Sequence, residues 1–195
     1  MTADLLATAD ELASLMRATG LDEDSATLLL ELCTGEVQGM ARQRLVEVLD
    51  DEFEIFATTD SWLTLPERPV SDISSLTIDG GNELVAGTDY RRPRGSARLH
   101  RHCGWATCPH VPSLVAGIYS HGYPVGSQKL QPARAGVLAL AKAAYPNVSG
   151  VRSEAIDDYR VEFAAAVTAA AEAAPRLAAS MRYIYGDRAG LVRIG

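Results

Sequence analysis

The sequence predicts an α+β fold, mainly a helical bundle with a β-rich insertion between its N-terminal and C-terminal helices. Three observations carry this. Apolar residues recur at steps of three and four toward both ends of the chain, which is the helical period. From Leu45 the period drops to two, as in a half-buried strand. Turn signals such as Asp79-Gly80 and the pair Pro66 and Pro69 fall in that same middle stretch. The 195 residues suit one compact domain, residues 1–195, since independent domains run to roughly 100–200 residues.

The elements follow in order. A first helix is predicted over about 4–17, with Leu5, Ala9, Leu12 and Met16 on one face and Gly20 as its terminator. A second spans about 22–44. Asp22, Glu23 and Asp24 place negative charge at its positive end, and Ala26, Leu29, Leu30, Cys33, Val37, Met40 and Ala41 form its stripe. Gly35 and Gly39 lie four apart in that helix. Each costs about 1 kcal/mol relative to alanine unless close packing compensates, so they are candidate subunit-packing residues, within one chain or against a neighbour.

The β-rich region covers about 45–123. Val46 and Val48, then Phe53 and Ile55, alternate around a turn expected at Asp50 and Asp51. Ile73, Leu76 and Ile78 lead into the Asp79-Gly80 turn, and further short strands are expected around Tyr90, around Leu99 and over 114–119. A helix over about 128–145 tolerates Pro132 in its first turn and stops before Pro146. A polar link holding Ser153 to Tyr159 precedes an alanine-rich stretch, Ala164 to Ala174, of high helix propensity. The last helix spans about 175–185 with Leu177, Met181 and Ile184 on one face, and 186–195 is an extended tail.

Bulk properties narrow the function. No apolar run approaches the ~20 residues a bilayer requires, and Met1 to Asp10 lacks the basic start of a signal peptide, so a soluble, non-exported protein without a membrane partner is expected. Three cysteines make no dense disulfide framework. A net charge of −7 argues against a protein built to grip phosphates.

The sites open to chemistry are few. His100, His102, Cys103, Cys108 and His110 offer zinc-type ligands, with His102, Cys103, Cys108 and His110 the candidate set. They crowd into one short stretch, whereas structural zinc sites pair ligands from two arms. The competing reading is a loop joining two strands, with Trp105 folded onto the sheet as an anchor; a Cys103–Cys108 disulfide is a minor option. Ser120 beside His121 lacks the elbow motif of a nucleophilic serine, and no phosphate loop or HExxH motif occurs, so neither catalysis nor a cofactor is expected. Arg91, Arg92, Arg94, Arg98 and Arg101 form a basic run suited to phosphate or an acidic protein surface. No aromatic platform is evident beside it in the sequence.

In its order of motifs the chain resembles the head-to-tail adaptor, or connector, proteins of tailed bacteriophages. The residues that carry the resemblance are LPERPVSDISSLTIDG from Leu63 to Gly80, TDYR from Thr88 to Arg91, GSARLHR from Gly95 to Arg101, and Trp105. VAGIYSHGYP from Val115 to Pro124, AGVLALAKAAY from Ala135 to Tyr145 and VRSEAIDDYRVEF from Val151 to Phe163 complete it. The resemblance implies a structural virion protein assembled in the host cytoplasm and located at the neck. There it would form a closed ring of about twelve subunits in which each contact joins two different faces. Implied partners are the portal protein, a head-closure or tail-side connector protein, and double-stranded DNA passing without sequence-specific binding. The tail residues Arg188, Leu191, Val192, Arg193 and Ile194 are candidates for docking by strand addition, and Arg91, Arg92 and Arg94 for partner contact. The alternatives are another neck component, such as a head-closure protein or tail terminator, or a zinc-binding module.

Overall fold

The computed structural model describes residues 5–17, 22–94, 96–108, 110–148 and 156–186. The fold is α+β, as predicted. It divides into two compact units, a helical one built from 1–43 and 126–195 and a β-rich one formed by the continuous stretch 44–125. Gly20 and the tail candidates Arg188, Leu191, Val192, Arg193 and Ile194 lie outside the described residues.

In the helical unit, α1 (Ala9–Met16) starts later than predicted, because Thr8 and Glu11 form a reciprocal capping box that fixes its first turn. Helix α2 (Glu23–Ala41) begins as predicted at Asp22, whose carboxylate accepts the Ser25 N–H at 2.9 Å. It ends at Arg42 in the left-handed conformation. Its predicted stripe is buried throughout. A single 3₁₀ turn (Gln128–Leu130) leads into α3 (Gln131–Val148). This helix continues past Pro146, correcting its predicted end.

Helix α4 (Ile156–Glu172) begins inside the stretch read as a polar link and extends the expected alanine-rich helix backward. It packs on α2, α3 and α5 (Pro175–Tyr185). The buried face of α5 is Met181 and Tyr185, not Met181 and Ile184; Ile184 is exposed. The phenol decides this. Tyr185 donates to the Lys129 carbonyl at 2.6 Å and accepts the Ala133 N–H at 3.3 Å, so its polar end is satisfied inside the bundle. Small residues allow close approach here: a Cβ on Gly136 of α3 would stand 3.0 Å from Leu177 of α5. Arg134 of α3 pairs with Glu11 of α1.

The β-rich unit is a two-layer sandwich. One layer is antiparallel, with β1 (Val48–Ala57), β5 (Ser113–His121) and β3 (Val70–Ile78) in the order β1-β5-β3. The other pairs β2 (Trp62–Thr64) with β4 (Arg98–His100). Alternation sends Phe53, Val115, Tyr119 and Leu76 inward from the first layer, and Leu63 and Leu99 inward from the second, into one apolar core.

Asp50 and Asp51 do not end a strand. Asp50 takes a positive φ of 52° at a bulge, and β1 continues through it. The Asp79-Gly80 turn is formed as predicted, with positive φ at both residues. Tyr90 is buried but joins its neighbours through isolated bridges rather than a strand.

Candidate functional site

Trp105 is the anchor of the loop between β4 and β5. It is 1% exposed, and its indole N–H donates to the Ser61 carbonyl at 3.1 Å. Gly104 before it has φ +78°, and a Cβ there would come within 2.5 Å of the Thr59 carbonyl oxygen, so the chain needs glycine to turn the indole inward. With Trp105 buried, Cys103 and Cys108 face solvent as free thiols, and His102 and His110 are exposed. The four candidate ligands are not brought together: among the described residues, no three His, Cys, Asp or Glu side chains converge to hold a metal ion. Cys33, in contrast, is buried in α2, and burial pushes its thiol up to about 12, with Glu36 adding repulsion.

The basic run separates into two groups. Arg92 donates to the Val70 and Ser71 carbonyls at the start of β3, and Arg101 donates to the Gly104 carbonyl at 2.9 Å. These two arginines hold the fold together. Arg91 and Arg94 are exposed. Arg98 lies on the outer face of the β2–β4 layer with its guanidinium 4.9 Å from the centre of the Trp62 ring.

Trp62 pairs across the strands with His100, ring centres 4.8 Å apart, and Arg91 bridges to the other side of His100. An aromatic platform therefore does accompany the arginines, contrary to the sequence reading. Trp62 lies 29 residues before Arg91 and 36 before Arg98 and reaches them only by strand pairing. It is 43% exposed.

The outer face of the other layer is different. Glu52 and Glu54 of β1 project there beside Ala116 and Ile118 of β5 and Ser75 and Thr77 of β3, around a shallow depression. Neither glutamate has an ion-pair partner among the described residues.

At one end of the same sheet is a charged cluster that sequence reasoning did not assemble. His121 is fully buried. Its Nε2 is 3.1 Å from Asp51 Oδ2, and its Nδ1 lies 3.3 Å from Glu67 Oε2 but off the line that a hydrogen bond requires. Arg44 pairs with both carboxylates and donates its backbone N–H to Glu67 at 3.0 Å. Tyr119 stacks on His121 at 4.8 Å, and burial pushes its phenol up to about 12, with the charges of Glu67 and Asp51 adding to the shift. Ser120 is on the opposite side of the strand, where its hydroxyl accepts the Asp50 N–H at 3.2 Å. It does not face His121.

No family model and no curated protein matches the chain. Among solved structures it is similar to a chain of the "Neck of empty GTA particle computed with C6 symmetry". The identity is 18% and the TM-score 0.49, over 77% of this chain and 80% of that one. A likeness at that level carries no argument about what this chain does.

Gly35 and Gly39 are exposed, and a Cβ built on either meets nothing within 4 Å. Packing within the chain, the first of the two explanations for these glycines, is therefore excluded among the described residues. The buried stripe of α2 runs along its other side.

Proposed function

We propose that this protein is a structural, non-catalytic subunit of a tailed-phage neck. It acts as a head-to-tail adaptor whose ring docks under the portal, extends the DNA channel and presents the attachment surface for head-closure or tail proteins. One observation carries the reading. The ordered motifs that resemble the adaptor family start in a continuous β-rich unit, residues 44–125, inserted between α2 and α3, and then continue into the helices that follow it.

The physical character of the chain supports the reading. The net charge of −7 suits a wall past which DNA moves without being gripped, because each phosphate contact to a basic side chain would add a counterion-release gain that holds the duplex. Two chemically different outer faces on one sandwich suit a ring in which each contact is heterologous.

The test is sedimentation of the purified protein, alone and mixed with the portal protein of the same particle. A closed ring in either condition is the expected result. A protein that stays monomeric and ignores the portal would overturn the adaptor reading and favour another neck component.

A further inference from the structure

We propose that the two outer faces of the β-rich unit are the complementary surfaces through which successive copies of this chain join. Trp62, Arg91 and Arg98 of one copy seat on Glu52 and Glu54 of the next. This inference rests on the ring reading and names the contact that builds it.

Three observations point to a second copy as the occupant. The first is charge. The β2–β4 face carries Arg91 and Arg98, whereas the β1-β5-β3 face carries Glu52 and Glu54 with no intramolecular counter-charge among the described residues. Complementary potentials of this kind steer and register protein association.

The second is geometry. The faces are the two outsides of one sandwich and point in nearly opposite directions. In a closed ring of about twelve copies each step turns by only about 30°, so a subunit needs its two contact faces nearly opposite.

The third is shape. Trp62 is 43% exposed and contacts His100 and the Arg98 guanidinium, while the opposite face offers a shallow depression whose lining includes Ser75, Ala116 and Gly117. Tryptophan and arginine anchors seated in a depression are the side-chain pattern that dominates interface energetics.

Charge reversal tests the contact. Sedimentation velocity compares the wild type with Glu52→Arg/Glu54→Arg and with Arg91→Glu/Arg98→Glu, each alone and as an equimolar mixture. Each variant alone presents like charges at every junction, so assembly requires a concentration at least ~100-fold above that of the wild type. The mixture restores assembly, because each variant supplies the charge that the other lacks. Melts within a few degrees of the wild type confirm folding. Should removing Arg98 from Trp62 unfold the β2–β4 pair, Trp62→Glu/Arg91→Glu, both at exposed positions, replaces it.

Wild-type assembly that both folded variants reproduce alone would overturn the inference and leave the ring reading standing. A wild type that never assembles overturns the ring reading itself. Retention of a DNA duplex that is lost in Arg91→Glu/Arg98→Glu, with assembly unchanged, would assign the basic face to nucleic acid instead.

Discussion

Gly35→Ala with Gly39→Ala in α2 is expected to stabilise the protein, although both glycines look at first like packing residues. The two positions are exposed, and an added methyl meets no atom within 4 Å, so the substitution adds no clash. What remains is backbone entropy. Alanine has fewer unfolded conformations to lose, which is worth about 1 kcal/mol in a helix interior. Gly35 lies well inside the helix, while Gly39 is in its last turn, where the gain is about half that. The pair should therefore gain about 1.5 kcal/mol, or ~3–6 °C in melting temperature for a chain of this size.

The assay is urea unfolding followed by helical circular dichroism, at a concentration low enough to keep the protein dissociated. The expected result is a higher midpoint at unchanged slope. A loss of stability would refute the reasoning, since it would mean that something packs on these glycines within one chain. A gain in stability accompanied by weaker self-association would instead identify the notch as a contact between subunits.

Other expectations follow from the β-rich unit and the thiols. The Asp79 carboxylate is held below the usual range by hydrogen bonds from Ser113, the Leu114 N–H and Thr107. Its contribution is present above the ordinary carboxylate pKa and lost as pH falls through the lowered one. Asp79→Asn should thus destabilise the protein at pH 7 and flatten the acid limb of its stability curve; an unchanged limb would exclude the carboxylate as its cause. Trp105→Ala removes a fully buried indole and should cost about 3–5 kcal/mol, read as early loss of near-ultraviolet circular dichroism; a cost below 1 kcal/mol would show that the loop does not need its anchor. In a thiol-reagent titration at pH 8, Cys103 and Cys108 should react at once, and Cys33, raised to about 12, only after unfolding. Three fast thiols would contradict the burial of Cys33.

Much of this protein is legible in its sequence because the relevant physics is local. The stripe from Ala26 to Ala41, the acidic start at Asp22, the Asp79-Gly80 turn and the inward Trp105 all follow from periodicity, capping and turn chemistry acting within a few residues. The same local signals misplace the limits of α1, α3 and α4. A capping box, a tolerated proline and tertiary packing on three helices each moved a boundary away from what propensity suggests.

The candidate surfaces were less legible, for a related reason. Arg44, Asp51, Glu67 and His121 meet across separations of up to 77 residues, and Trp62 reaches Arg98 and Arg91 only once β2 pairs with β4. Strand register decides such meetings, and a shift of one residue would send every side chain to the other face. The sequence by itself determined where the main helices and the longer strands lie and most of the residues that seek the interior. Only the tertiary structure decided which charges share a face, that Gly35 and Gly39 look outward, and that Tyr185 rather than Ile184 is buried. Those outcomes depend on pairings between distant parts of the chain, where hydrogen-bond satisfaction and close packing select among arrangements that local pattern leaves equivalent.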